Sequence, residues 1–158
     1  NLVLLAPLFP EVKFYGLEPT SSGVEVSRSF IKHPPKELGK GEVTNVEILQ
    51  GSVLDKKLPK IPKVDLVFTC AVLEQVYNYI DKAFETIFSI SEKYFLFYEE
   101  WLEGNSIQHY QTLVKSDYFR LSWHYMNKYE IEILERSVPV LQPSWLSYAV
   151  FFCKKRES

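Results

Sequence analysis

The stretch VDLVFTCAVLEQV, at residues 64–76, decides the fold class of this chain. Its first nine residues are nearly continuous in apolar character, as expected for a strand that is buried on both faces of a parallel sheet. The stretch YFLFYEE, at residues 94–100, has the same character. Between the two, apolar residues recur at helical spacing over residues 80–88. Two buried strands joined by a helix predict a parallel sheet whose faces are covered by helices.

The same alternation extends toward the start of the chain. We predict strands at residues 12–18 (VKFYGLE) and 45–52 (NVEILQGS), with a helix at residues 19–32 between them. Ser22 and Glu25 have the spacing of a capping box at the start of this helix, and prolines end it at residues 34–35. The opening stretch NLVLLAPLF is predicted as the remainder of an earlier helix that Pro7 kinks or ends.

The pattern changes after residue 100. Residues 101–128 are rich in aromatic side chains and are predicted to be partly helical. Two further strands, at residues 129–140 and 146–155, are joined by a link too short for a crossover helix, so they should be antiparallel. The sheet is therefore predicted to be mostly parallel, with one reversed strand near the C-terminus.

Length and composition limit the protein class. With 158 residues and 46% hydrophobic content, the sequence predicts one globular domain over residues 1–158. A formal net charge of −2 argues against nucleic acid as the main partner. No apolar run approaches a membrane span, so neither membrane insertion nor secretion is expected. Cys70 and Cys153 lie far apart in apolar surroundings, which favours a reducing, cytoplasmic setting over a disulfide or a metal site.

The ends of the predicted strands are where a ligand is expected, because open parallel sheets bind ligands at the carboxyl ends of their strands. These ends are Glu18 and residues 51–53, 70–72 and 99–101. An ionised carboxylate has acceptor oxygens and no donor, so an acid such as Glu18 suits the two hydroxyls of a ribose. A solvated acid at the start of a helix is the alternative interpretation of Glu18.

Taken together, these strand ends resemble successive motifs of the class I S-adenosylmethionine-dependent methyltransferases. The resemblance rests on YGLEP at residues 15–19, LQGSVLD at residues 49–55 and DLVFTCAVLEQV at residues 65–76. It implies a Rossmann-like α/β sheet, S-adenosylmethionine as the cofactor and methyl transfer to a small-molecule substrate. The positions that it implies as cofactor contacts are Glu18, Pro19, Ser52, Val53, Asp55, Cys70, Ala71 and Val72.

Each motif implies a contact with a different part of the cofactor. In the family the acid matched by Glu18 binds the ribose, and the segment matched by Ser52 and Val53 reads the adenine edge. Residues 70–72 match the strand end beneath the methionine part. Ser52 stands where the family often has Asp, which leaves the adenine to the Val53 backbone or to Asp55. Gln75 stands where many members have His, so no chemistry that depends on that His carries over.

The family's glycine-rich loop is absent from this sequence. In dinucleotide-binding folds the ribose acid follows such a loop by about 20 residues. The loop and the strand before it would therefore precede Asn1. We expect the sequence to be a fragment without its first strand, and we expect this fragment by itself to be inactive.

The aromatic segment, residues 101–129, is our candidate for substrate contact, through Trp101, Trp123 and Tyr125. Ordinary packing of an amphipathic helix is the alternative. His109 and His124 are candidate bases for an acceptor that must lose a proton. A NAD-dependent oxidoreductase would share the sheet and the ribose acid, although the reversed strand argues against it. A non-catalytic Rossmann-like binding protein would keep the fold without turnover.

Overall fold

The computed structural model describes residues 2–35, 43–104, 106–115, 120–138 and 148–156. The chain divides into two compact units, Asn1–Ile61 and Pro62–Ser158. Each unit has its own sheet. The single domain that the sequence predicts stays a prediction.

The first unit contains a pair of parallel strands with short helical elements around it. Its elements are α1 (Leu2–Leu5), a 3-10 turn (Ala6–Leu8), β1 (Phe14–Glu18), α2 (Ser21–Lys32) and β2 (Val46–Gln50). Pro7 lies in the 3-10 turn, so the first helix ends early, as predicted. Strands β1 and β2 pair in register from Phe14 opposite Val46 to Glu18 opposite Gln50. The two carboxyl ends therefore lie at the same edge.

Apolar residues from all of these elements form the core of the first unit. Asn45, just before β2, ties the N-terminal segment to the sheet: its Nδ2 donates to the carbonyl oxygens of Ala6, Phe9 and Val12 at 3.2, 3.1 and 2.9 Å. The buried core residues are Ala6, Val24, Ile31, Val43 and Ile48.

The second unit contains a four-stranded mixed sheet. Its elements are β3 (Val64–Cys70), a 3-10 segment (Leu73–Tyr79), α3 (Ile80–Ile90), β4 (Ser91–Glu100), a 3-10 turn (Leu102–Gly104), α4 (Ile107–Lys115), α5 (Trp123–Lys128), β5 (Ile131–Ser137) and β6 (Tyr148–Lys155). The strand order is β3-β4-β6-β5. Strands β3 and β4 are parallel, whereas β6 is antiparallel to both of its neighbours.

The alternation of side chains along β4 divides the second sheet into two unlike faces. Phe95 and Phe97 are fully buried, and the Phe97 ring meets Phe84 of α3 with centroids 5.9 Å apart. Each buried phenylalanine of this kind stabilises the fold by about 1.5–3 kcal/mol. On the other face Tyr94 and Tyr98 are only half-buried. Helix α3 therefore packs on the first face.

Most of the predicted elements are confirmed, including the partly helical segment and the reversed strand, which is β6. Residues 139–140 and 146–147 of the last two predicted strands lie outside the described residues. The predicted capping box is wrong. Thr20, which has an extended backbone, is the N-cap of α2, and its Oγ1 accepts from Gly23 N at 3.1 Å. Ser22 already lies within the first turn of the helix.

In the part of the chain that the structure describes, no helix is long and apolar enough to cross a membrane.

Candidate functional site

Glu18 ends β1, and the N-cap of α2 holds its carboxylate. Glu18 Oε1 accepts hydrogen bonds from Thr20 Oγ1 at 2.6 Å and from Thr20 N at 3.0 Å. These two bonds, with the side-chain bond the larger effect, hold the pKa of Glu18 below its ordinary value. A fixed anion therefore stands at the carboxyl end of the strand, followed by an exposed Pro19.

Gly23 leaves the space that this carboxylate occupies. A Cβ atom at Gly23 would lie 2.3 Å from Glu18 Oε1 and 2.7 Å from Thr20 Oγ1. Both distances are shorter than any normal contact. The position of the Glu18 carboxylate thus depends on a residue without a side chain in the first turn of α2.

The turn after β2 lies beside Glu18, because Gly51 N donates to the main-chain oxygen of Glu18 at 3.0 Å. Ser52 N donates to Asp55 Oδ2 at 2.8 Å, so the turn binds the Asp55 carboxylate itself. The Val53 N–H makes no hydrogen bond to another described residue. Glu18 and residues 52–55 are therefore brought together, with an acid and a main-chain donor at one edge.

In the second unit, β3 ends in a strained turn. Ala71 has a φ of 52°, in the left-handed region that costs a residue with a side chain about 1 kcal/mol or more. Its N–H donates to the Tyr98 carbonyl oxygen of β4 at 2.9 Å. Cys70 and Ala71 are half-buried, and Val72 is 38% exposed. The chain thus turns sharply at the carboxyl end of the strand.

Glu99 of β4 contacts this turn from a buried position. It is 1% exposed, and its Oε1 accepts from Val72 N at 3.2 Å and from Leu73 N at 3.5 Å. Burial raises the pKa of Glu99 to about 7, although Thr69 and the two amides oppose this effect. The Thr69 hydroxyl is near enough to act on the Glu99 pKa. Among the described residues, however, neither Thr69 Oγ1 nor Glu99 Oε2 has a partner that meets full hydrogen-bond geometry. Because its pKa is about 7, the Glu99 carboxyl group changes charge near neutral pH.

Glu100, the next residue, lies on the opposite face of β4. Its Oε1 lies 2.7 Å from His109 Nε2 of α4, and the two side chains are 2% and 12% exposed. A buried carboxylate beside a ring nitrogen fixes the orientation of the imidazole. On β6, Tyr148 OH donates to Glu74 Oε2 at 3.0 Å, and burial and this bond raise the pKa of Tyr148.

The aromatic segment divides into buried and exposed parts. Trp101 is 2% exposed, and its ring centroid lies 4.6 Å from that of Phe151 and 5.1 Å from that of Trp123. Trp123 itself is 48% exposed. Of the predicted substrate contacts, Trp101 thus belongs to the core and Trp123 reaches the surface. Their role toward a substrate stays a prediction.

The next residues of the segment pack against α3. Tyr125 is half-buried, with its ring 5.7 Å from that of Phe84, and the exposed His124 packs edge-on against Tyr125 at 5.4 Å. Tyr118 and Phe119, which belong to the same predicted segment, lie outside the described residues. Of the two candidate bases, only His109 has a carboxylate partner at its ring among the contacts that the structure describes.

The sequence interpretation placed Glu99 and Glu100 at a strand end where a ligand is expected but gave them no specific role, and it did not single out Tyr148. A signal for the first two existed, since two consecutive acids end the apolar strand YFLFYEE. Buried acids are rare unless they have a partner. The partners, however, come from the turn after β3 and from α4, which no local pattern connects to β4. Within the described residues, no three or more His, Cys, Asp or Glu side chains are grouped as a metal site would require.

Comparisons with known proteins show which solved structures have a similar fold. No family model matches the sequence, and no curated protein matches it. Solved structures do match. A SAM-dependent methyltransferase from Methanosarcina mazei is 11% identical with a TM-score of 0.70, over 96% of this chain and 84% of that one.

Two further structures agree. Magnesium protoporphyrin IX methyltransferase from Synechocystis PCC 6803, with bound SAH, is 10% identical with a TM-score of 0.68, over 96% of this chain and 68% of that one. N-methyltransferase NodS from Bradyrhizobium japonicum WM9 is 9% identical with a TM-score of 0.68, over 97% of this chain and 79% of that one. This chain therefore has the Rossmann-like fold of the class I S-adenosylmethionine-dependent methyltransferases.

Proposed function

We propose that this chain belongs to an enzyme that transfers a methyl group from S-adenosylmethionine to a small-molecule acceptor. The observation that carries the proposal is the anion at the end of β1: Glu18 is held in place by Thr20 and stands beside the turn after β2. Such an acid is suited to bind ribose hydroxyls. The solved neighbour that binds SAH and is named for magnesium protoporphyrin IX supports both the cofactor and a small acceptor.

The residues of the first unit suit the adenosine part of this cofactor. The bonds from Thr20 engage Oε1 of Glu18, and a carboxylate has further acceptor positions for ribose hydroxyls. Asp55 is engaged by Ser52 N, which favours the Val53 amide over the Asp55 carboxylate as the adenine contact. Ser52 and Pro19 line the same edge.

In the second unit, residues 70–72 are our proposed contacts for the methionine part. The Val72 amide is engaged by Glu99 and the Ala71 amide by Tyr98. Contact would therefore come from the side chains of Cys70 and Val72 and from the main-chain carbonyl of Ala71. The two side chains are small or apolar, so they can exclude water close to a reacting centre, whereas the Ala71 carbonyl offers a hydrogen-bond acceptor.

When bound, the cofactor supplies a methyl group on a positively charged sulfur. The charge makes the methyl carbon electrophilic without help from the protein. This chain then has to align the acceptor and keep water out, effects that are worth up to about 7–11 kcal/mol. Trp101, Trp123 and Tyr125 are the proposed walls for the acceptor. Because Trp101 is buried, its share would be to support Trp123, against which it packs edge-on.

His109 is the proposed base for an acceptor that must lose a proton. The Glu100 carboxylate lies 2.7 Å from His109 Nε2, and it stabilises the tautomer with the proton on that nitrogen. The lone pair of a neutral ring then resides on Nδ1, which is the nitrogen that would accept the proton. His124 is near enough to the Asp81 carboxylate to act on its pKa but makes no described hydrogen bond to it, so we favour His109.

The experiment that tests the proposal is calorimetric titration of the full-length protein with S-adenosylmethionine, SAH and NAD⁺. We expect binding of the first two and none of NAD⁺. Binding of NAD⁺ instead would establish the oxidoreductase alternative. Binding of SAH without any methyl transfer to a panel of amines, phenols and carboxylic acids would favour the non-catalytic binding protein. No binding of any of the three would refute the proposal.

A cytoplasmic location is part of the same proposal. Cys70 and Cys153 are both free thiols, as expected in a reducing compartment. Burial raises the pKa of Cys153 to about 12, so this thiol is held in its unreactive form. Fluorescence localisation of the tagged full-length protein tests this point.

A further inference from the structure

The turn after β3 is held almost entirely from β4. The Ala71 N–H donates to the Tyr98 carbonyl oxygen, and the Val72 and Leu73 amides donate to Glu99 Oε1. The 3-10 segment that begins at Leu73 has no side-chain cap at Val72. Glu99 therefore supplies, from the neighbouring strand, the acceptor that a local N-cap normally supplies.

Burying a carboxyl group in this way is costly. Glu99 is 1% exposed and lies on the same face as Phe95 and Phe97. An uncompensated polar group in such a place destabilises a fold. The presence of a buried acid at this position, bonded to two main-chain amides, thus points to a role in which an acceptor oxygen is needed.

The strain at Ala71 points in the same direction. A left-handed backbone at a residue with a side chain persists only where the surrounding contacts impose it. Here the amides on both sides of the Ala71 Cα atom, those of Ala71 and Val72, are held by β4. Without Glu99 the turn would lose the acceptor for its second and third amides, and it could relax toward an unstrained conformation.

We propose that Glu99 is a positioning residue, whose carboxyl oxygen holds residues 70–73 in the conformation that contacts the methionine part of the cofactor. This inference rests on the proposed function, in which Cys70, Ala71 and Val72 are the contacts. Glu99 itself does not touch the cofactor. It acts through the amides of Val72 and Leu73.

Two substitutions distinguish the contribution of the acceptor oxygen of Glu99 from the contributions of its side-chain volume and its charge. Glu99→Gln keeps an amide oxygen in the same place and removes the charge. Glu99→Leu keeps most of the volume and removes every acceptor. The control is Phe95→Leu, a buried change on the same face of β4, which lowers stability without removing a contact to the turn.

The test measures the dissociation constant of SAH for the full-length protein and its variants. We expect Glu99→Leu to raise this constant by about tenfold, the usual effect of losing two hydrogen bonds to a buried acceptor oxygen. Glu99→Gln and Phe95→Leu should stay within about threefold of the wild type. In turnover assays Glu99→Leu should raise KM for S-adenosylmethionine more than it lowers kcat.

Amide hydrogen exchange at Val72 and Leu73 provides a second readout that needs no cofactor. Glu99→Leu should speed exchange at both amides, and Phe95→Leu should not do so selectively. If the wild type binds no SAH, the proposed function fails, and the exchange data alone decide whether Glu99 holds the turn. Unchanged SAH affinity in Glu99→Leu, or an equal loss in Phe95→Leu, would overturn the positioning role.

Discussion

At the scale of single residues, two acids at strand ends have pKa values that are shifted in opposite directions. Hydrogen bonds from Thr20 lower the pKa of Glu18, whereas burial raises the pKa of Glu99 to about 7. Glu18 is therefore a permanent anion at physiological pH. Glu99 changes its charge state within the physiological range.

Replacing Glu18 tests the first of these acids. We expect Glu18→Ala in the full-length protein to weaken S-adenosylmethionine binding by about tenfold or more, because charge-assisted hydrogen bonds to the ribose are lost. Calorimetric titration provides the measurement. Glu25→Ala, at an exposed acid on α2 of the same unit, is the matched control and should leave the affinity unchanged. Equal affinities in the two variants would remove Glu18 from the site.

The raised pKa of Glu99 predicts a pH dependence of stability. The folded-state pKa, about 7, lies above the ordinary value of 4.5, so the associated stability is present at low pH and is lost as pH rises toward and through 7. Glu99→Gln stays uncharged. Its free energy of unfolding relative to the wild type should therefore rise by about 2 kcal/mol between pH 5 and pH 8.

Urea unfolding at the two pH values measures this difference. Glu92→Gln, at an exposed acid near the start of the same strand, serves as the control and should show no such trend. Glu74 contributes a like charge that also raises the pKa of Glu99, so Glu74→Gln should reduce the trend without abolishing it. A flat difference between pH 5 and pH 8 would contradict the assigned charge state.

The sequence predicted Glu18 as a site residue but not the function of Glu99, and the reason is physical. Glu18 follows a strand and precedes a helix, so its place at a ligand-binding edge follows from local pattern. The role of Glu99 depends on amides that are 27 and 26 residues away in the chain. A local pattern identifies a strand-end acid, and only the packed sheet reveals what it binds.

At the scale of elements, the start of α2 couples a helix cap to the candidate site. Thr20 Oγ1 accepts from Gly23 N and donates to Glu18 Oε1. The cap and the acid therefore share one hydroxyl group. The predicted capping box was wrong by two residues, because Thr20 precedes the helix with an extended backbone and Ser22 does not.

Gly23→Ala should separate helix stability from site geometry. Alanine favours a helix interior over glycine by about 1 kcal/mol. Its Cβ would nevertheless lie 2.3 Å from Glu18 Oε1, and the flexible carboxylate must move away. We expect the free energy of unfolding to change by less than about 1 kcal/mol while the SAH dissociation constant rises severalfold.

Chemical denaturation and calorimetric titration of the same variant give the two quantities. Ser27→Ala, a partly buried helical position farther along α2, is the control for a general effect of alanine in this helix. The idea fails if Gly23→Ala binds SAH as tightly as the wild type does.

At the scale of the whole molecule, the alternation of strands and helices was enough to predict the fold class. The parallel strands β3 and β4 and the reversed strand β6 follow from apolar runs and from a short connection. The predicted burial of β3 on both faces is wrong, because Thr69 is its one buried residue and Leu66 is 42% exposed. The aromatic segment could not be assigned in this way, because the rings of Trp101 and Tyr125 contribute to the core whereas Trp123 is exposed. Buried and exposed aromatic residues look alike in the sequence, and only their packing in the folded chain distinguishes them.

Substitution of the two tryptophans tests which of them faces an acceptor. Trp101→Ala removes a buried ring and should lower the free energy of unfolding by about 3–5 kcal/mol. Trp123→Ala should change stability by less than about 1 kcal/mol. We expect it instead to raise KM for the acceptor while S-adenosylmethionine affinity stays the same. Unchanged turnover with a lowered Tm in Trp123→Ala would assign this residue to packing.

The strand order of the second unit also determines when each strand can pair during synthesis. Strand β6 lies between β4 and β5, although β5 precedes it in the chain. During synthesis on a ribosome, which proceeds from the N-terminus, β5 is made while its sheet partner does not yet exist. Until β6 is inserted, the facing edges of β4 and β5 offer unpaired N–H and C=O groups to other nascent chains. Premature termination before residue 148 would make that exposure permanent, so truncated products of this gene should aggregate or be degraded.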